Sequence, residues 1–170
     1  MVQTITTERL ILRQWREDNF EAFARFWGDP VTTAFVGGPI KREDAWRRML
    51  SFIGHWHLRD FGFFVVEDSK TGEMAGYCGA QLPLDKLEPE LGWGIYPQFQ
   101  GQGYATEAMH AVLDFAASKL GWRTAISLIT DDNLASQAVA RKLGGALERH
   151  VDISGMRYGV YRHVFGDSSI

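Results

Sequence analysis

The sequence lacks most features of secreted and membrane proteins. It contains one cysteine, Cys78, so an internal disulfide is excluded, which fits a reducing cytoplasm. No apolar run approaches the roughly 18 residues that a membrane-spanning helix needs. The N-terminal segment MVQTITTERL has no apolar core of a signal peptide. We therefore expect a cytoplasmic protein without a membrane partner.

Charge and residue spacing exclude two further classes of partner. The formal net charge is −3 and the isoelectric point is about 5.9, whereas nucleic-acid-binding proteins usually carry a strongly basic surface. DNA is therefore not expected as a partner. No cluster of histidine, cysteine and acidic residues has the spacing of metal ligands, so no metal is expected. The 170 residues contain no repeat or linker, which predicts a single domain over residues 1–170.

Hydrophobic periodicity predicts an α/β fold with seven strands and four helices. The predicted strands are 4–14, 61–67, 74–82, 90–96, 124–130, 146–153 and 156–165. The predicted helices are 17–27, 41–59, 105–120 and 134–143. Strands and helices alternate only in the second half, so we expect a mixed sheet with helices on both faces.

A glycine-rich turn, within GIYPQFQGQGYATEA at residues 94–108, joins a predicted strand to the clearest predicted helix. Gly101 and Gly103 have no Cβ, so a ligand can approach the backbone closely and positive φ angles are accessible. The first N–H groups of a helix lack helical acceptors and favour an anion. The segment therefore predicts a phosphate-binding site.

Two common phosphate loops do not fit this turn. A P-loop requires another glycine spacing followed by lysine. A dinucleotide-binding turn requires a third glycine where Thr106 stands, and an acidic residue about 20 positions later, where the chain has Arg123. The remaining pattern is Gln98-x-x-Gly101-x-Gly103.

This remaining pattern resembles the acetyl-coenzyme A loop of the GNAT superfamily of N-acetyltransferases. TERLILR at 7–13, LGWGIYPQFQGQGYATEA at 91–108 and DNLASQAVARKLGG at 132–145 are similar to its RimJ/RimL branch, which contains ribosomal-protein N-terminal acetyltransferases. The resemblance implies a mixed, mostly antiparallel central sheet of about seven strands with helices on both faces. It also implies transfer from acetyl-CoA to a primary amine. A protein N-terminus and a small-molecule amine are both open as acceptors, and so is a homodimer.

The resemblance assigns the cofactor-binding residues. Backbone N–H groups of the glycine turn are expected to hold the pyrophosphate, and the backbone of the preceding strand is expected to pair with pantetheine. Glycines on both sides of Trp93 favour such a close approach. The implied residues are Trp93, Ile95, Gln98, Gly101, Gln102, Gly103, Tyr104, Ala105, Asn133 and Ser136.

The helix after Asp131 departs from the common family pattern. Many members carry a tyrosine four residues before the glycine that ends this helix, and it protonates the leaving thiolate; here that position is Ala140. Ser136 lies one turn earlier on the same face. We hypothesise that Ser136 hydrogen-bonds the thioester or thiolate sulfur and that Asn133 binds the cofactor. Alternatively, Asn133 only caps the helix, Ser136 is a packing residue, and the chain is a catalytically silent acyl-CoA-binding module.

Only a neutral amine attacks, so the acceptor decides how strong a base is needed. A protein α-amine has a pKa of about 7.7–8.0 and a lysine-type amine about 10.4. Asp85, Glu88 and Glu90 lie near the start of the cofactor strand, and we predict that Glu90 is the base, acting through a water. The alternative is a plain charge at a strand end. No Cys/His or Ser/His/Asp arrangement stands out, which favours direct attack in a ternary complex.

The acceptor pocket is expected between the first two helices, the 83–89 loop and the hairpin at Ser154-Gly155. His55 shares a helix face with Arg48 and Arg59, which indicates either a solvated stripe or a contact with an acidic acceptor group. Aromatic residues that either line this pocket or pack in the core are Trp15, Trp27, Trp46, Trp56, Tyr158 and Tyr161.

Overall fold

The frame of the molecule is a sheet with the strand order β1-β2-β3-β4-β5-β6-β8-β7. A computed structural model describes residues 3–82, 84 and 88–165. Within these residues every neighbouring pair of strands is antiparallel except β5 and β6. The strands are β1 (Ile5–Thr6), β2 (Leu10–Arg13), β3 (Phe63–Asp68), β4 (Met74–Gln81), β5 (Glu90–Ile95), β6 (Thr124–Thr130), β7 (Ala146–Ile153) and β8 (Met156–Val164).

Four α-helices accompany this sheet in the described residues, and none is both long and apolar enough to cross a membrane. They are α1 (Phe20–Gly28), α2 (Arg42–Arg59), α3 (Tyr104–Leu120) and α4 (Leu134–Lys142). Short 3₁₀ turns cover Glu17–Asn19 and Pro97–Phe99. The predicted mixed sheet with helices on both faces is confirmed.

The structure has eight strands rather than seven because the first predicted strand is interrupted. The main-chain N–H of Thr7 donates to the carbonyl of Leu10 at 2.9 Å. The N–H of Leu10 donates to the Thr7 hydroxyl at 3.1 Å. This turn folds β1 back onto β2, with Ile5 opposite Leu12.

Neighbouring residues of β3 show that helices cover both faces of the sheet. The ring of Phe63 lies 4.6 Å from that of Phe52 on α2. The ring of Phe64 lies 5.9 Å from that of Phe115 on α3. Because successive side chains of a strand point to opposite faces, α2 and α3 lie on opposite sides of the sheet.

The parallel strands β5 and β6 separate soon after they begin. In the described residues of these strands, only Glu90 and Ile126 are paired. The Ile126 N–H donates to the Pro89 carbonyl at 3.0 Å. At the other end of β5, the Tyr96 N–H donates to a carbonyl of β4 at 2.9 Å. Because peptide groups alternate in direction along a strand, those of Trp93 and Ile95 face β6.

Packing explains why glycines stand on both sides of Trp93. A Cβ on Gly94 would lie 2.8 Å from the Tyr77 ring and 2.9 Å from the Phe26 ring. A Cβ on Gly92 would lie 3.1 Å from the Phe63 ring. Larger residues would displace this aromatic layer. The glycines therefore let β5 lie close to the rings on the α1 and α2 side.

Candidate active site

The turn between β5 and α3 presents a row of backbone donors. Gly101 and Gly103 have φ angles of +72° and +82°, and Gly103 is the residue that caps α3. Among the described residues, the N–H groups from Gly101 to Ala105 have no hydrogen-bond acceptor. Residues 101–103 are also exposed. Such a row at a helix N-terminus favours a bound anion.

This turn is held by an ionic brace, which Thr7 and Arg9 of the N-terminal segment form with Glu107 of α3. The Arg9 guanidinium donates to the Gln102 carbonyl at 2.9 Å and to the Glu107 carboxylate at 2.7 Å. The Thr7 hydroxyl donates to the same carboxylate at 2.6 Å. Burial acts to raise the pKa of Glu107, but these hydrogen bonds outweigh it and the pKa is lowered. Sequence reasoning missed this brace because its partners are 98 residues apart.

Tyr104 turns its side chain away from the loop and anchors the start of α3. Its hydroxyl donates to the Asp68 carboxylate, and its ring stacks on Phe99 at 5.9 Å. This hydrogen bond lowers the pKa of Asp68 and raises the pKa of Tyr104. Asp68 also accepts from the N–H of Thr71 at 2.9 Å. Tyr104 therefore presents only its N–H group to the loop.

A cleft of about 400 Å³ opens where β5 and β6 separate. It brings together predicted site residues from β5 and from the start of α4, namely Glu90, Trp93, Asn133 and Ser136. Side chains of α1 and α2 form the opposite wall, among them Trp27, Arg48 and Phe52. The glycine turn does not line this cleft. It follows β5 at the end of the strand where β5 and β6 have separated.

Gln98 and Ile95 occupy positions that differ from the other predicted residues. Gln98 is exposed and lines a separate cavity of about 430 Å³ with Arg25 and Met74. Its carbonyl accepts from the Gln102 side chain at 3.0 Å. The Ile95 carbonyl, which faces β6, accepts from the Gln100 side chain at 2.8 Å. Trp93 is therefore the better placed of the two strand residues to offer a free carbonyl.

The start of α4 brings Asn133 and Ser136 together. The Asn133 side-chain oxygen accepts from the Ser136 N–H at 3.1 Å, so Asn133 caps the helix. This leaves the Asn133 NH₂ group and the Ser136 hydroxyl available to the cleft that both residues line. Ala140 is fully buried against Ile129 and Tyr161. A tyrosine at position 140 would have to displace this packing.

Two buried polar side-chain atoms of the described residues lack a hydrogen-bond partner, and both residues line the cleft. They are the indole nitrogen of Trp27 and the hydroxyl of Thr130. These side chains belong to residues that are 4% and 8% exposed. A buried polar atom without a partner costs about 1–3 kcal/mol. Because their residues line the cleft, both atoms are candidates for contacts with a ligand.

Glu90, the predicted base, and the two other carboxylates near the start of β5 have different surroundings. Glu90 is half-buried and lines the cleft. Glu88 accepts hydrogen bonds from Arg162, which lower the pKa of Glu88 and make it a weak base. Asp85 lies outside the described residues. Burial, aided by the charge of Glu90, raises the pKa of Tyr158, so β8 also contributes to the surroundings of Glu90.

The structure contains a serine–histidine pair that the sequence did not indicate. The Ser127 hydroxyl and the His163 Nε2 atom are 3.0 Å apart, and both residues are 1% exposed. The other ring nitrogen lies 3.5 Å from the carbonyl of Leu143. Burial lowers the pKa of His163, which favours the neutral ring. The third partner is a main-chain carbonyl and not the carboxylate of a catalytic triad. We therefore assign the pair a structural role, as a contact between β6 and β8.

The stripe on α2 is solvated at Arg59, which is exposed, whereas His55 and Arg48 are half-buried. The His55 Nδ1 atom lies 2.7 Å from the Phe61 carbonyl, and its Nε2 atom accepts from the Leu82 N–H at 3.1 Å. Arg48 is half-buried, with its guanidinium 3.9 Å from the ring centre of Trp27. Of the aromatic residues proposed for the pocket, Trp27 lines the cleft.

Comparisons with known proteins agree with this geometry. A family model described as an acetyltransferase (GNAT) domain matches residues 9–146. The chain is 33% identical to an acetyltransferase from Agrobacterium tumefaciens, whose crystal structure superposes with a TM-score of 0.87 over 96% of this chain and 95% of the other. It is 28% identical over 165 residues to the N-acetyltransferase YoaA of Bacillus subtilis, covering 93% of each. RimL, a ribosomal L7/L12 α-N-protein acetyltransferase in complex with coenzyme A, is 22% identical and shares the fold, with a TM-score of 0.76 over 95% of this chain and 98% of the other.

Proposed function

The chain belongs to the GNAT acetyltransferase family, and from this we propose that it moves the acetyl group of acetyl-CoA to a primary amine that attacks directly within a ternary complex. One observation carries the proposal: the N–H groups from Gly101 to Ala105 lack acceptors among the described residues. In the cleft beside β5, two buried polar atoms also lack partners among the described residues. The donors fit a diphosphate, and the cleft fits a pantetheine arm.

Different parts of the chain hold different parts of acetyl-CoA in this proposal. The turn at 101–105 binds the diphosphate, and Arg9 adds a positive charge beside Gln102. The peptide groups of Trp93, which face β6, hydrogen-bond the pantetheine amides. The hydroxyl of Thr130 and the side-chain amide of Asn133 provide further polar contacts where these residues line the cleft.

Acetyl-CoA supplies an activated acyl group, and Ser136 assists its transfer. The Ser136 hydroxyl donates to the sulfur and stabilises the negative charge that the thiolate acquires as the C–S bond breaks. Asn133 positions it, because the cap bond to the Ser136 N–H fixes the first turn of α4. Much of the acceleration comes from holding both reactants in one cleft, which supplies several kcal/mol.

Glu90 receives the proton of the amine through a water in this mechanism. It lies where β5 and β6 are still paired, on the wall of the cleft. A protein α-amine needs only a modest base, because its pKa is about 7.7–8.0. We therefore place a protein N-terminal α-amine first among acceptors, supported by the activity that the name of RimL states. A small-molecule amine comes second.

The test is release of coenzyme A thiol from acetyl-CoA in the presence of an amine panel of N-terminal peptides and small amines. We expect release above the hydrolysis blank with at least one amine. Calorimetry with coenzyme A is run on the same preparation. Binding without release on any amine would support a silent acyl-CoA-binding module. Folded protein that does not bind coenzyme A would contradict the whole proposal.

A further inference from the structure

Arg48 contributes a half-buried cation to the α2 wall of the cleft. Among the described residues, no carboxylate lies within ion-pair distance of its half-buried guanidinium. Burial lowers the pKa of Arg48, because the charged form is poorly solvated there. Its neighbour Arg47 is exposed and paired with Glu43 and Asp44. Burying a charge without a partner is unfavourable, so the surroundings of Arg48 favour a ligand that brings a negative charge.

Trp27 supplies a second, independent observation at the same place. Its ring lies under the Arg48 guanidinium, and its buried indole N–H has no acceptor in the part of the chain that the structure describes. The indole N–H groups of Trp15 and Trp56, by contrast, both donate to the carbonyl of Phe63, at 2.7 and 2.8 Å. Within residues 3–82, 84 and 88–165, the Trp27 N–H thus lacks an acceptor and the adjacent Arg48 lacks a counter-ion.

We infer that the acceptor amine carries a carboxylate, which the Arg48 guanidinium and the Trp27 indole N–H bind while the amine lies toward Glu90. Arg48 and Glu90 line one cleft and have opposite charges, as an amino-carboxylate requires. A guanidinium matches the two oxygens of a carboxylate with parallel hydrogen bonds. The diphosphate of acetyl-CoA is assigned to the turn at 101–105, which does not line this cleft, so Arg48 is left for another anion. The inference rests on the proposed function.

The first test compares acceptors that differ only in the carboxylate. An amino acid, its amide and the corresponding decarboxylated amine form one series, and peptides beginning with aspartate or asparagine form another. Amidation lowers the pKa of the neighbouring amine, so a preference for the acid cannot come from a larger neutral fraction. We expect kcat/KM to be at least about tenfold higher for the acid, as for a hydrogen bond to a charged group. The two series distinguish a free amino acid from an acidic N-terminus.

The second test uses matched variants of neighbouring arginines. Arg48→Gln is expected to raise KM for the carboxylate acceptor about ten- to a hundredfold and to abolish the preference for acid over amide. Arg47→Gln, on the exposed side of the same helix, should leave both unchanged. Trp27→Phe keeps a ring beneath Arg48 and removes the N–H, so it should weaken the preference by a smaller factor. It also provides a second readout if Arg48→Gln does not fold.

A binding measurement separates this inference from the proposed function. Protein loaded with coenzyme A is titrated with the amino acid and with its amide in a calorimeter, so no turnover is needed. Tighter binding of the acid that is lost in Arg48→Gln supports the inference even if no thiol is released. Equal affinities for acid and amide would overturn it, while thiol release in the amine panel would leave the proposed function intact.

Discussion

At the scale of single residues, the first question is what Ser136 does in place of the family tyrosine. Ser136→Ala is expected to lower kcat about tenfold or more, because it removes a hydrogen bond to the charge that develops on the sulfur, and to leave KM for acetyl-CoA nearly unchanged. Steady-state thiol release measures both. Ser118→Ala is the control, since that hydroxyl is exposed on α3 and donates to the Asp114 carbonyl. Full kcat in Ser136→Ala would eliminate the sulfur role.

Thr130 allows ligand binding to be separated from stability. Thr130→Val removes a buried hydroxyl that has no partner in the described residues, so the free energy of unfolding should rise by about 1 kcal/mol while KM for acetyl-CoA increases. Urea unfolding and acetyl-CoA titration measure the two effects. Thr124→Val is the matched control on the same strand, because the Thr124 hydroxyl donates to the His163 carbonyl at 2.9 Å. A less stable Thr130→Val would contradict the ligand assignment.

The buried His163 leads to a prediction about how the free energy of unfolding depends on pH. Burial lowers its pKa in the folded protein, whereas an unfolded histidine titrates near pH 6.5. Below about pH 6.5 the unfolded chain binds a proton that the folded chain does not, so the free energy of unfolding falls as pH decreases. His163→Gln should therefore show a shallower loss of stability between about pH 6.5 and 5. Denaturation across this range measures it, and an unchanged slope relative to wild type would exclude the effect.

The exposed His110 provides the control for this comparison. His110→Gln replaces an exposed imidazole on α3 and keeps the buried pair of Ser127 and His163, so it serves as the reference substitution. The comparison also removes the contribution of carboxylates, which are the same in all three proteins. A difference between the two histidine variants thus reports the buried pair of Ser127 and His163.

Single residues differ in how far the sequence could predict their roles. The cap at Asn133 was predictable, because capping depends on residues within one helical turn. The sequence offered Arg48 and Trp27 as candidates for the acceptor pocket, but not their contact with each other, since this contact joins two helices. A missing partner has no local signal in a sequence.

At the scale of elements, α3 allows a matched comparison of its two ends. Gly103 precedes its first residue with φ +82°, and Gly121 follows its last with φ +66°. Alanine at either position should cost about 1–2 kcal/mol of stability, because both have left-handed backbone angles. Only Gly103→Ala should also raise KM for acetyl-CoA, since it shifts the N–H groups of the loop. Equal KM values in both variants would contradict the loop as the diphosphate site.

The elements themselves followed from short-range patterns. The periodicity of apolar residues predicted β6 and β7 with the bounds that the structure has, and α2 to within one residue. The split between β1 and β2 was missed, because it depends on the Thr7 hydroxyl accepting from Leu10. The ionic brace on the glycine turn was also missed. Both features depend on side-chain hydrogen bonds that periodicity does not describe.

At the scale of the whole molecule, strand order decides where the cleft forms. β8 lies between β6 and β7, so the closing hairpin joins the sheet through its second strand. Nothing local in the sequence specifies this choice, and the resemblance implied a mixed, mostly antiparallel sheet of about seven strands without the order of the closing strands. Because β5 and β6 pair at one position, the sheet is weakest where the cleft opens. Trp93 is the residue that packs against both the main core and the small cluster around Ile129.

This weak connection predicts that coenzyme A stabilises both sides of the cleft together. At a ligand concentration 100 times Kd, the stabilisation is about 2.7 kcal/mol, which corresponds to a rise in Tm of roughly 5–10 °C for a chain of this length. Hydrogen exchange should slow at 101–105, where the N–H groups bind the diphosphate, and also along β6 and the start of α4, which form the other wall. The hairpin turn at Ser154-Gly155 serves as an internal reference and should not change. Protection confined to 101–105 would show that the ligand contacts only the glycine turn. This result would contradict a pantetheine arm between β5 and β6.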